Sequence, residues 1–174
     1  MMRGLGVLLL LALGGCASPG YRDQSVAIAS MAVFDPARFA GIWYEVARFP
    51  VPFLDGCSQA QAVYGLREDG GISVRNSCAA TDELAVRRGL AVVNGPGRMA
   101  INFEGAPAMS DFWILWIDEG YRTAVVGRPS GNGGWIMNRD RSIPGDRLQA
   151  AREVLEFNGY DLSRLEIVGP GEGQ

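Results

Sequence analysis

Acid–base, nucleophilic and metal chemistry draw on a short list of side chains, and two of them are missing from this sequence. Its 174 residues include no histidine, and all 16 basic residues are arginine, so lysine is absent too. Without imidazole there is no Ser-His or Cys-His pair and no histidine metal ligand. Without a lysine amine there is no Schiff base and no phosphate-loop lysine. Carboxylates remain, and Glu45, Asp118 and Glu119 are the ones that could share acid–base work. An enzyme is therefore disfavoured, and the residues imply neither a cofactor nor a metal. The three cysteines say more: Cys16 stands near the N-terminus, and Cys57 and Cys78 lie in the body of the chain.

Cys16 closes an address segment. Arg3 precedes an uninterrupted apolar run from Gly4 to Leu13, and small residues follow, which is the build of an export signal. The run is about ten residues, half of the ~20 that a bilayer-spanning helix needs. Leu13-Gly14-Gly15-Cys16 resembles the lipobox of bacterial lipoproteins, which implies that Cys16 is acylated and becomes the new N-terminus. Several acyl chains on one residue, each CH₂ contributing ~0.8 kcal/mol on insertion, would hold the domain to a membrane essentially permanently. Ala17 stands where retention in the inner membrane of enteric bacteria requires aspartate. The expected location is thus the outer membrane, with the domain facing the periplasm.

The polar, aperiodic stretch that follows reads as a tether. The chain divides into a signal over residues 1–15, a lipidated tether over 16–32 and one domain over 33–174. A body of about 140 residues suffices for a single domain that buries roughly two-thirds of its unfolded surface. In an oxidising compartment Cys57 and Cys78 are candidates for a disulfide. They flank an expected hairpin, and the other possibility is two separate buried thiols. Removing the signal takes only Arg3 from the 16 basic residues and leaves all 19 carboxylates. That balance argues against nucleic acid as a partner, since phosphate binding needs a basic surface.

The elements that must position these residues are strands. Eight candidates follow one another, with turn signals every eight to twelve residues: Gly41 to Phe49, Gln59 to Leu66, Gly71 to Cys78, Leu84 to Val93, Arg98 to Glu104, Asp111 to Asp118, Tyr121 to Arg128 and Gly134 to Arg139. Glu68-Asp69-Gly70-Gly71 and Asn94-Gly95-Pro96-Gly97 supply hairpin turn chemistry. The Gly-rich stretch from Gly127 to Gly134 lacks the lysine and following helix of a phosphate loop and reads as a longer hairpin loop.

After Pro144-Gly145 the period changes. Leu148, Ala151, Leu155 and Asn158 recur at helical spacing, Val154 widens the apolar face, and Gly159 is a natural stop. This helix should pack outside the sheet, and Leu165 to Val168 could add a short last strand. Eight antiparallel strands can close into an up-and-down β-barrel with room for one small ligand. Periodicity alone does not separate that all-β barrel, with its C-terminal helix outside, from a two-sheet sandwich.

At Gly41-Ile42-Trp43-Tyr44-Glu45-Val46-Ala47-Arg48 the chain resembles the Gly-x-Trp signature of the lipocalin family, in the form found in bacterial lipocalins and apolipoprotein D. Val63 to Ile72, Asp111 to Leu115 and Trp135 to Arg139 extend the resemblance, which covers the body from about Phe34 to Ile167. It implies a barrel with Trp43 at its closed base and Arg139 packed over the ring, a structural role for Gly41, Trp43 and Arg139. The family's second signature, Thr-Asp-Tyr, is reduced here to Ile117-Asp118-Glu119, which keeps only Asp118. The disulfide also departs from apolipoprotein D, whose C-terminal segment is tethered to the barrel, because no cysteine follows Cys78.

Alternation assigns an inner face. Ala60, Ala62 and Tyr64 share one side of the second strand, Met99, Ile101 and Phe103 one side of the fifth, and Trp135 and Met137 the parity of Arg139. The expected ligand contacts are Ala60, Ala62, Tyr64, Ile101, Phe103, Trp135 and Met137, although a closed core is the equal alternative for Ile101 and Met137. Asp111 to Asp118 is apolar on both faces, so its inner side is left open. An aromatic interior with few charges suits an acyl chain, whose burial gains ~25 cal/mol per Å². The expected function is binding and transport of a fatty acid or lysophospholipid by a monomer or weak dimer. An envelope structural protein with a filled barrel and a carboxylate-dependent enzyme are the alternatives.

Overall fold

In the computed structural model, residues 20–79 and 84–168 are described. Cys16, the signal and the first tether residues lie outside them. Runs of period-two alternation form the strands: β1 (Gly41–Arg48), β2 (Gln59–Leu66), β3 (Ile72–Ala79), β4 (Leu84–Gly95), β5 (Arg98–Phe103), β6 (Ser110–Ile117), β7 (Thr123–Gly127) and β8 (Gly134–Asn138). Consecutive strands pair antiparallel, and β1 closes the sheet by pairing β2 through Gly41–Tyr44 and β8 through Tyr44–Arg48. A register shift between Glu45 and Ala47 marks the bend in β1. The product is a closed eight-stranded barrel and not a sandwich, and closure leaves no unpaired edge among these eight strands.

Up-and-down order puts the β1–β2, β5–β6 and β7–β8 connections, with the end of β3 and the start of β4, at one end, the mouth, and the alternate turns at the other, the base. A short helix, α1 (Pro36–Phe39), precedes β1 at the base. Asp35 caps it, accepting from the Ala37 N–H at 2.8 Å, and Pro36 opens it.

The longer helix, α2 (Gly145–Phe157), lies outside the barrel, as its spacing predicts. Leu148, Ala151 and Leu155 are buried against Leu115, Val125 and Ile136, and each leucine contributes roughly 1.5–3 kcal/mol on burial. β9 (Glu166–Ile167) pairs with Ala47 and Arg48 of β1. The two apolar faces of β6 are both used: Phe112, Ile114 and Ile117 enter the barrel core, while Trp113, Leu115 and Trp116 join the cluster under α2. A register shift between Ile114 and Trp116 resets the alternation and explains why 114 and 117 share a face.

The stretch expected as a free tether differs from residue 20 onward: it is a strap laid along the barrel. Tyr21 stacks on Phe49 with centroids 5.1 Å apart and donates to the Pro50 carbonyl. Arg22 is buried, donating to the carbonyls of Asn158 at 2.8 Å, Pro129 and Val26. Asn158 answers by accepting from the Ala29 N–H, and Met31 donates its N–H to Ile114. Gly159, with φ +85°, leaves no room for a Cβ beside Asp23 of the strap. Low hydrophobicity hid this segment in the sequence, because backbone pairing and one buried arginine hold it down instead of a periodic apolar face.

Candidate ligand-binding site

The floor of the cup is built on Trp43. Its ring stacks on Phe39 and its Nε1–H donates to the Phe39 carbonyl at 2.7 Å. The Arg139 guanidinium sits 3.9 Å from the Trp43 ring centre and donates to the carbonyls of Ile42, Arg38, Phe39, Ala40 and Tyr121. One cation thus binds together β1, α1 and the β6–β7 turn. Gly41 has φ +101°, and a Cβ there would lie 3.2 Å from Arg139 Nη1, so the glycine of the signature gives both the backbone turn and the space for the guanidinium. Asp118 clamps the base turn, accepting from Thr123 N–H at 2.7 Å and Arg122 Nε at 2.8 Å. Burial opposes its charge, but these hydrogen bonds prevail and hold its pKa below the usual carboxylate value.

Above the floor a cavity of about 410 Å³ opens toward the mouth. Ala62, Tyr64, Phe103, Trp135 and Met137 line it, as expected from alternation, joined by Phe112 from β6 and by Phe53 and Leu54 from the β1–β2 loop. Ala60 and Ile101 are buried in the same core but do not form the cavity wall. Ala60 instead faces Cys78 across the β2–β3 ladder, beside the Cys57–Cys78 disulfide, whose Cα atoms are 5.5 Å apart. That bond fastens the β1–β2 loop to β3 at the mouth.

The expectation of an interior with few charges is corrected here: Glu45, Arg87 and Arg128 all line the cup. Period two explains each of them. Glu45 shares parity with Trp43, Arg87 with Gly89 and Ala91, and Arg128 with Ala124 and Val126. Of the consecutive arginines Arg87 and Arg88, one therefore points in and the other out, a signal that extending the parity to every strand would have caught.

Glu45 lies 3.8 Å from Arg48, which donates to the Leu54 and Cys57 carbonyls. Burial, only partly offset by Arg48, pushes the Glu45 pKa up to about 7. Burial and the nearby Glu45 also push the Tyr64 phenol upward. Glu45 Oε2 and Asn76 Oδ1, both buried, have no hydrogen-bond partner among the described residues. The three carboxylates considered for acid–base work are not brought together: Glu45 is in the cup, whereas Asp118 and the exposed Glu119 belong to the turn at the base. The arrangement can bury an apolar body and offer polar groups to part of it; among the described residues it brings no nucleophile and base together.

Comparison with known proteins agrees with this architecture. Residues 34–170 match a family model described as a lipocalin-like domain. The chain is 34% identical over 137 residues to the outer membrane lipoprotein Blc of Escherichia coli (strain K12), covering 76% of this chain and 77% of that protein. It is 25% identical over 166 residues to apolipoprotein D of Macaca fascicularis, covering 89% and 82%. Among solved structures, insecticyanin from the tobacco hornworm Manduca sexta superposes with a TM-score of 0.70 at 19% identity, over 87% of each chain. That likeness is one of fold.

Proposed function

The chain belongs to the lipocalin-like family, and from that membership we propose that it carries a small lipophilic ligand, a fatty acid or lysophospholipid, in the bacterial cell envelope. The observation that carries the reading is the cup itself: about 410 Å³ of space walled by Tyr64, Phe103, Phe112, Trp135 and Met137. A filled barrel acting only through protein contacts has no use for such a volume. Burying an acyl chain there gains ~25 cal/mol per Å² removed from water, and aromatic walls with a few polar groups are the usual make-up of small-molecule sites. The similarity to an outer membrane lipoprotein supports acylation of Cys16 and residence at the outer membrane, facing the periplasm.

The strap gives that anchor a direction. Gly20 lies against Ser130 and Gly131 of the β7–β8 loop, at the mouth. The four residue steps from Cys16 to Gly20 can span at most about 14 Å, so an acylated Cys16 would keep the mouth close to the bilayer, the source and sink of any lipid cargo.

Native mass spectrometry of the delipidated protein after challenge with palmitate or a lysophospholipid tests the carrier reading. One bound lipid per chain, lost in Trp135→Arg, is the expected result. A cup that stays empty after every challenge would overturn it in favour of an envelope structural protein.

A further inference from the structure

The charges in the cup do not cancel. Glu45 and Arg48 face each other at 3.8 Å, which accounts for the one carboxylate on the wall. Arg87 and Arg128 line the same cavity, and neither forms an ion pair within the described residues. Both are held by aromatic faces instead. The Arg87 guanidinium lies 4.2 Å from the Phe103 ring centre and 5.1 Å from that of Phe53, and Arg128 lies 5.0 Å from Trp135. Stacking of this kind positions a guanidinium and leaves its N–H edge available.

Arg128 Nη1 reaches Asn132 Oδ1 at 3.3 Å, but its buried Nε has no partner among the described residues. Burial disfavours the charged form of Arg128, and the charge of Arg87 adds to that, against the opposing influence of Tyr160 and Asp111. Two guanidiniums that share a partly dry cavity repel each other and lose hydration, and an anion between them relieves both costs.

Both residues belong to the mouth half: Arg128 follows β7 into the β7–β8 loop, and Arg87 packs on Phe53 of the β1–β2 loop. We propose that Arg87 and Arg128 form an anion clamp at the mouth, which holds the carboxylate or phosphate head of a single-chain amphiphile whose tail runs down toward Trp43. This rests on the carrier reading and adds to it the residues that grip the head group and the orientation of the ligand. The planar fork of arginine suits both anions, because each offers two oxygens at the spacing of two N–H donors.

The test is titration of the delipidated full chain with palmitate, hexadecyl phosphate, hexadecanol and inorganic phosphate. The two anionic amphiphiles should bind at least about tenfold more tightly than the alcohol, and inorganic phosphate should not bind. In the Arg87→Gln/Arg128→Gln variant the preference should vanish while hexadecanol affinity is kept, which also shows that the cup is intact. If the double variant no longer takes up hexadecanol, the single variants decide, each being expected to lose part of the preference.

Equal affinity for palmitate, hexadecyl phosphate and hexadecanol in the native protein, or a preference that survives the substitutions, would overturn the clamp and leave the carrier reading standing. Inorganic phosphate bound as tightly as hexadecyl phosphate would make this a free-anion site and overturn the proposed orientation. Failure of all three amphiphiles to bind the native protein would overturn the carrier reading together with the clamp.

Discussion

Glu45 is ionised in the unfolded chain above its ordinary value of 4.5, but in the folded protein it titrates at about 7, because burial outweighs the pull of Arg48. Between those values the folded state holds a proton that the unfolded state has released, so its contribution to stability is full below pH 4.5 and is lost as pH rises through 7. At about 1.4 kcal/mol per pKa unit the loss is on the order of 3 kcal/mol. Urea unfolding at pH 5 and pH 8 should show this fall in the native protein and not in Glu45→Gln; identical pH dependence in the two would contradict the burial argument. Arg139 is the other residue with a measurable role. Replacing it with leucine removes its bonds to the carbonyls of Arg38, Phe39, Ala40, Ile42 and Tyr121, of which Phe39 keeps the Trp43 indole as a donor, and a loss of roughly 3 kcal/mol is expected because a network of charge-assisted hydrogen bonds is broken. A shift below about 0.5 kcal/mol, the range of an ordinary surface change, would show that the guanidinium does not bind the base together. The residues legible in advance were those whose neighbours share a clean alternation, such as Tyr64 and Phe103. Arg87 and Arg128 were missed because a charged side chain on an inner face looks, one position at a time, like a solvated one.

At the scale of elements, the strands and α2 were legible because each rests on a local period, two or 3.6, that the chain displays openly. The strap was not, since residues 20–32 have no period, and their hold on the barrel depends on partners such as Asn158 and Gly131 that are distant in sequence. Nor was the inner face of β6, whose assignment turns on a register shift that composition does not reveal. The disulfide fastens the β1–β2 loop over the cup, which Arg48 also holds through the Leu54 and Cys57 carbonyls. It closes a loop with a sequence separation of 21, and the chain-entropy estimate gives a stabilisation of about 3 kcal/mol. Thermal unfolding of Cys57→Ser/Cys78→Ser should therefore shift down by several degrees for a domain of this size, roughly 2–4 °C per kcal/mol. An unchanged midpoint would mean that the loop is held by Arg48 and its carbonyl contacts alone.

For the whole molecule, closure of the sheet and the plugged base leave the end where the strap begins as the open one, so in the carrier reading a ligand would enter and leave there. Replacing residues 1–16 with an export signal that is cleaved without lipidation should release the protein from membranes into the soluble periplasmic fraction while leaving the barrel folded, which fractionation and circular dichroism would check. Retention on the membrane would refute the acyl anchor. The central claim is that the cup is a binding site and not an incompletely packed core, and calorimetric titration of the delipidated protein with palmitate at two temperatures tests it most directly. Saturable binding of one palmitate per chain with a negative heat-capacity change, the mark of apolar burial, is the predicted result, together with its loss in Ala62→Phe, which fills the cavity from within. Absence of saturable heat for palmitate and for a lysophospholipid alike would contradict it.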